Sequence, residues 1–122
     1  MTKETETIRP NYYLDKRGHD LFWQFEHGYY PALAAISFCY LNMLKYEKRA
    51  GKKTADPSED LKKARTYFDE YVKLLEKREK EEIHDQGLER VLDCSDLKER
   101  TGTYLKRLDR IEEDIKSGRA KL

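Results

Sequence analysis

The segment from Asp56 to Lys80 constrains the fold more than any other part of the sequence, because its apolar residues recur at helical spacing. Five of them follow one another at spacings of 3, 4, 3 and 4: Leu61, Ala64, Phe68, Tyr71 and Leu75. This spacing puts all five on one face of a helix. Asp56 can cap that helix, Pro57 suits its first position, and Glu59 adds a capping-box pattern. We therefore expect a helix from Pro57 to Lys80 or beyond.

The composition extends this expectation to the whole chain. Ala, Glu, Lys, Leu and Arg supply 60 of the 122 residues, whereas valine occurs twice and isoleucine five times. This bias favours long helices and leaves few β-branched residues for a sheet core. We predict an all-α fold, in which a compact domain of three helices is followed by a long C-terminal helix or helical hairpin.

The distribution of residue types predicts three parts of the chain. Residues 1–10 are polar and are expected to form a disordered arm, residues 11–82 a helical core domain, and residues 83–122 a C-terminal helical extension. No apolar run is long enough to cross a membrane, and the first residues lack the apolar stretch of a secretion signal. These features predict a cytoplasmic protein that does not bind membranes.

Two further helices are predicted in the front half. Gly18 to Glu26 forms a short helix candidate that Gly28 ends. Pro31 suits the first turn of the next helix, which Gly51 ends. Because this second helix is apolar nearly all round in its first half, we expect it to be the central, buried helix, with Cys39 in the core.

The C-terminal extension carries a heptad pattern. Ser95 can cap a helix that runs from Asp96 to about Lys116. The residues at alternating spacings of 4 and 3 in it are Leu97, Thr101, Tyr104, Leu108, Ile111 and Ile115. Such a narrow seam is typical of a coiled coil. Two interpretations stay open for the seam: the helix packs on its own domain, or it binds a partner helix. For the protein as a whole we expect a homo-oligomer.

Common catalytic and metal-binding motifs are missing from the sequence. It contains no phosphate-binding G-x-x-x-x-G-K-[ST] loop, no HExxH and no CxxC pair, so we expect neither a zinc site nor a haem. The catalytic residues stay unknown. Asp20 and Asp60 are weak candidates for a Mg²⁺ site, because their spacing forms no recognised carboxylate pair.

The strongest functional signal is the stretch from residue 42 to residue 53, which carries five positive charges and one negative charge. Asn42, Lys45 and Arg49 share one helix face, which Tyr46 borders. The full set of predicted phosphate ligands is Asn42, Lys45, Arg49, Lys52, Lys53 and Lys63. The alternative is that these cations complement the helix macrodipole. A net charge of +1 disfavours a nucleic-acid surface.

Three motifs give the sequence a resemblance to a known family. They are R-P-x-Y-Y…G-x-D-L-F from Arg9, N-x-x-K-Y-x-x-R-A-G-K-K from Asn42, and E-D-L-K-K-A-x-x-Y from Glu59. In their order and spacing they resemble the SaV-like family of small bacteriophage proteins, whose members are often described as nucleotide kinases. The sequence departs from that pattern at Tyr12, where a histidine is usual, and at Leu41, where a glycine is usual.

The resemblance implies a bacteriophage protein of the host cytoplasm that binds a nucleotide, with Mg²⁺ accompanying the nucleotide. Tyr13, Tyr46 and Tyr67 would contact the base or sugar. Such a protein could be a nucleoside monophosphate kinase-like enzyme, or it could sequester a signalling nucleotide as an anti-defence protein. The alternative is an interaction module that binds and inhibits a host protein through its charged C-terminal helices.

Overall fold

A computed structural model describes residues 14–52 and 56–119, and every regular element within them is an α-helix. The helices are α1 (Leu21–Glu26), α2 (Ala32–Arg49), α3 (Ser58–Glu79), α4 (Leu88–Val91) and α5 (Leu97–Lys116). The all-α prediction is confirmed, including the long C-terminal helix. Among these described helices none is long and apolar enough to span a membrane. The predicted arm at residues 1–10 lies outside the described residues.

Local signals explain where the first three helices begin. The Asp20 carboxylate accepts a hydrogen bond from the Trp23 amide at 2.8 Å and so caps α1. Pro31 occupies the position directly before α2. The Asp56 carboxylate accepts a hydrogen bond from the Ser58 amide at 2.9 Å, and α3 starts at Ser58, one residue after the predicted first position at Pro57.

α2 and α3 form an antiparallel pair. The guanidinium of Arg49, at the end of α2, lies 3.9 Å from the carboxylate of Asp60 in the first turn of α3. Nearer the middle of both helices, the rings of Tyr40 and Tyr71 lie 5.7 Å apart. α1 packs against the same pair, because the ring of Phe22 meets that of Tyr67 edge-on.

The buried face of α3 differs from the predicted one. Phe68, Leu61 and Leu75 are exposed, whereas Tyr67 and Leu74 are buried. The core face is therefore rotated towards the neighbouring residues, since successive helix positions differ by about 100°. The reason is tertiary: the aromatic rings of α1 and α2 pack on Tyr67.

The prediction for α2 is also corrected. Its core face contains Ala35, Ile36 and Cys39, but Tyr40 and Leu41 are exposed. α2 is therefore buried on one side only, because α3 and the short α1 cover only part of its surface. Cys39 is fully buried as predicted. Its burial, together with the nearby carboxylates of Glu70 and Glu26, raises the pKa of its thiol.

The chain divides into two units after Leu88, six residues later than the predicted boundary. The segment after α3 belongs to the first unit because it accepts hydrogen bonds from the first backbone amides of α2. The His84 carbonyl accepts from the Ala32 amide at 2.8 Å, and the Asp85 carboxylate accepts from the Leu33 amide at 3.1 Å. Ile83, directly before them, is buried in the core.

The second unit contains α5, and none of the α5 residues is buried. Arg100 fixes the start of this helix. Its guanidinium donates to the carbonyls of Val91 and Asp93 and forms an ion pair with Asp96 at 2.8 Å.

A basic cluster around Tyr46

The last two turns of α2 present the predicted basic face to the start of α3. The Lys45 ammonium lies 4.5 Å from the centre of the Tyr46 ring, and the Arg49 guanidinium lies 5.5 Å from it. Lys63, from α3, approaches the same ring to 5.4 Å. We call Lys45, Tyr46, Arg49 and Lys63 the Tyr46 cluster. Three cations thus share one aromatic ring, at distances where each is attracted by the ring quadrupole.

Two carboxylates partly balance these charges. Asp60 is buried and lies 3.9 Å from Arg49, a distance at which the two charges attract but do not hydrogen-bond. Glu59 lies 3.6 Å from Lys63 and is exposed. Within residues 14–52 and 56–119, the buried Nε of Arg49 has no hydrogen-bond partner. The guanidinium therefore retains donors that could bind an anion.

The Tyr46 ring is anchored in the core. It is 8% exposed and stacks on Tyr67, with ring centroids 5.8 Å apart and planes inclined by 16°. Tyr67 is 3% exposed and also contacts the rings of Phe22 and Phe38. The role of both tyrosines as base contacts stays a prediction. In this arrangement the rings face protein, and the cluster offers charge rather than an open aromatic surface.

The remaining predicted ligands lie around this cluster. The Asn42 side-chain amide donates to the Phe38 carbonyl one turn earlier, at 2.9 Å. Lys52 is exposed in the turn after α2, where its backbone amide donates to the Arg49 carbonyl at 2.9 Å. Tyr13 and Lys53 lie outside the described residues.

The two metal candidates have other structural tasks. Asp20 caps α1, and Asp60 faces Arg49. In the described part of the chain, no group of three or more His, Cys, Asp or Glu side chains could hold a metal ion. A Mg²⁺ ion can nevertheless be carried by nucleotide phosphates with few protein ligands.

A second charged group, in the second half of α3, was not predicted from the sequence. The Lys73 ammonium lies 3.6 Å from the Glu26 carboxylate and 3.9 Å from that of Glu70. Glu70 is buried close to Cys39. The burial of Glu70 could have been predicted from its spacing. Tyr67, Glu70 and Leu74 share one helix face, so Glu70 is buried if Tyr67 is assigned to the core.

One family model matches the sequence. It covers residues 9–69, half of the chain, and its description is "protein of unknown function (DUF3310)". The chain belongs to this family. No curated protein and no solved structure matches it. The DUF3310 description carries neither the SaV-like name nor a function.

The extent of the DUF3310 domain separates the two predicted functional regions. The segment contains all of the predicted site residues, from Tyr13 to Tyr67, and it includes the whole Tyr46 cluster. α5 lies entirely outside it. The basic cluster of this chain thus lies within the matched domain, and the heptad seam lies in the C-terminal extension.

Proposed function

We propose that the DUF3310 domain of this chain binds a phosphorylated small molecule, a nucleotide in the first instance, at the Tyr46 cluster. The observation that carries this proposal is the convergence of Lys45, Arg49 and Lys63 on one ring. These three cations repel one another, and one buried carboxylate with one exposed carboxylate compensates them only in part. A phosphate would supply the missing negative charge.

The chemistry of the side chains suits phosphate. A guanidinium donates in a planar fork that matches two phosphate oxygens, and lysines add mobile point charges. The buried Nε of Arg49 also supports the proposal, because a bound oxygen would satisfy it. Tyr46 is itself held by its stacking on Tyr67 and keeps the three cations together.

We propose that the primary activity is binding of the phosphorylated molecule rather than catalysis. If phosphoryl transfer takes place, Lys45, Arg49 and Lys63 would align and neutralise the phosphates, and Mg²⁺ bound to the nucleotide would supply the remaining charge. The motif resemblance to SaV-like proteins supports a bacteriophage protein of the host cytoplasm. In that setting the same cluster would serve a kinase-like enzyme or an anti-defence protein that sequesters a signalling nucleotide.

The experiment is a thermal-shift screen of the full chain against mono-, di-, tri- and cyclic nucleotides, with and without Mg²⁺. A ligand present at about 100 times its Kd adds ~2.7 kcal/mol to the free energy of unfolding and raises the Tm. The double variant Lys45→Ala/Arg49→Ala should lose this rise while staying folded. Lys48→Ala is the matched control, since it removes an exposed cation from the same helix end outside the cluster.

The shift is expected to persist in Lys48→Ala and also in Lys62→Ala, and to weaken in Lys63→Ala. No shift with any nucleotide, or an equal loss in the cluster and control variants, contradicts nucleotide binding at this cluster. Inorganic phosphate and pyrophosphate, added to the same plate, distinguish recognition of phosphate alone from recognition of a nucleotide.

A second candidate function rests on a different observation. The seam residues of α5 expose apolar surface, which suits a protein partner. The chain would then inhibit a host protein through its C-terminal helices, and the basic cluster would be structural. This candidate predicts that no nucleotide shifts the Tm. It also predicts that Leu108→Glu abolishes inhibition, while Lys45→Ala/Arg49→Ala preserves it.

A further inference from the structure

The seam of α5 is an exposed apolar stripe in the described residues of the second unit. Its large residues are between 39% and 52% exposed: Leu97, Tyr104, Leu108, Ile111 and Ile115. Adjacent to the stripe, Leu105 is 54% exposed. A 20-residue helix with this surface is marginal in water unless the stripe is covered.

The charges beside the stripe indicate which kind of partner helix could pack on it. In heptad positions, Leu97, Tyr104 and Ile111 are d residues, and Thr101, Leu108 and Ile115 are a residues. The charged residues at the flanking e and g positions are basic from the start to the middle of α5, at Lys98, Arg100 and Arg107. They are acidic in the second half, at Glu112 and Asp114. This separation makes α5 complementary to an inverted copy of itself.

We propose that α5 pairs with the same helix of a second copy in an antiparallel two-stranded coiled coil. The register is centred on Lys106, so that Leu97 packs against the partner's Ile115 and Tyr104 against the partner's Leu108. Lys98 then faces the partner's Glu112. Each of these contacts occurs twice, because a two-fold axis relates the copies.

Charge pairing favours this orientation over the parallel one. In the antiparallel register, Lys98 faces the partner's Glu112 and Arg100 faces the partner's Asp114, which gives four attractive pairs by symmetry. The Leu105 side chains meet each other, and only the Arg107 pair is repulsive. In a parallel pair, Arg107 would form an attractive contact with the partner's Glu112. The basic parts of the two helices would, however, lie side by side and repel each other.

The packing of the seam favours the same orientation. The antiparallel register sets the small Thr101 against the partner's Ile111, and the large Tyr104 against the partner's Leu108. A parallel register would instead stack the two Tyr104 side chains in one layer and the two Thr101 side chains in another. Alternation of large and small residues across facing positions fills a helical interface better.

Lys98 and Glu112 provide the sharpest test. Among the described residues Lys98 forms no ion pair, whereas Arg100 is already bound to Asp96 and to two carbonyls. Lys98→Glu puts a negative charge near the start of α5, and Glu112→Lys puts a positive charge near its end. Both changes complement the helix macrodipole, so neither should unfold α5, although the second removes a surface ion pair with Lys116.

The experiment is sedimentation equilibrium of the full chain from about 10 µM to about 1 mM. We expect the mass of the wild type to rise from 14.6 kDa towards two chains. Each single variant should raise the dissociation constant about tenfold. The double variant Lys98→Glu/Glu112→Lys should restore it, since the pair is then re-formed with its charges exchanged. Lys106→Glu, on the opposite face, is the matched control and should leave it unchanged.

Three results overturn the proposal. The first is a mass of one chain throughout the concentration range, which would leave the stripe to another kind of partner or to the chain's own first unit. The second is an assembly of more than two chains. The third is the pattern that a parallel pair requires. In it, Lys98→Glu dimerises normally, Glu112→Lys weakens dimerisation, and the double variant does not restore dimerisation. Circular dichroism of each variant confirms that helicity is kept.

Discussion

The rings of Tyr46 and Tyr67 are stacked, with centroids 5.8 Å apart and planes inclined by 16°. This contact connects the basic cluster of the first unit to its aromatic core. On one side of it, Lys45, Arg49 and Lys63 surround Tyr46. On the other, Tyr67 packs among the aromatic rings of α1 and α2. The positions of the three cations therefore depend on the packing of the core.

Replacing Tyr67 should test the face that α3 turns to the core. Tyr67→Ala empties a buried site and should lower the free energy of unfolding by about 4 kcal/mol. Phe68→Ala removes a neighbouring aromatic ring that is 46% exposed and should lower it by less than about 1 kcal/mol. Urea unfolding followed by the fluorescence of Trp23, the single tryptophan, measures both. A larger loss in Phe68→Ala than in Tyr67→Ala would mean that the face predicted from the sequence is the buried one.

Asp60→Asn should separate two roles of this carboxylate. As the partner of Arg49, Asp60 lowers the positive potential of the cluster, so its neutralisation should tighten binding of a nucleotide by about threefold. As a ligand of Mg²⁺, it would instead be needed for binding in the presence of the metal. Titrations with and without Mg²⁺ measure the change, and Asp69→Asn, an exposed carboxylate of the same helix, is the control. Weaker binding that appears only with Mg²⁺ would assign Asp60 to the metal.

The stability of the first unit should depend on pH through Asp85. Hydrogen bonds from Arg78, at 2.9 Å and 3.1 Å, lower the pKa of Asp85; partial burial opposes this shift, and the Leu33 amide adds to it. A carboxyl whose pKa is lower in the folded state stabilises the fold above its unfolded pKa. This contribution disappears as the pH falls through the folded pKa.

Asp85→Asn should therefore lower the Tm at neutral pH and reduce the further fall of the Tm below about pH 4. Scanning calorimetry at a series of pH values, with Asp69→Asn for comparison, measures this difference. Parallel curves for Asp85→Asn and the wild type would show that Asp85 does not contribute to the acid sensitivity.

Gly102 should be replaceable with a gain in stability. It lies inside α5, and an added Cβ would meet no atom within 4 Å. Gly102→Ala should therefore stabilise the helix by about 1 kcal/mol. Gly118 also has open space around it but adopts a φ of +79°, so Gly118→Ala should destabilise the helix end instead. The ellipticity at 222 nm during thermal unfolding distinguishes the two variants; a loss in Gly102→Ala would contradict the assignment of residue 102 to a regular helix.

The positions of the helices could be predicted from the sequence because their signals are local. Pro31, Asp56 and Pro57 mark helix starts, and Gly28 and Gly51 follow helix ends at positive φ. Asn42, Lys45 and Arg49 could be placed on one helix face for the same reason, since helical geometry alone determines it.

The sequence by itself thus determined the helical fold, the basic end of α2 and the heptad pattern of α5. Tertiary packing alone decided that Tyr67 rather than Phe68 enters the core. It also sets the 5.4 Å distance at which Lys63, a ligand already predicted from the sequence, approaches the Tyr46 ring. The physical reason is that the apolar pattern of α3 by itself favours the face of Phe68 over the buried face, which also carries Asp60 and Glu70. Only contacts with the rings of α1 and α2, distant in sequence, select between them.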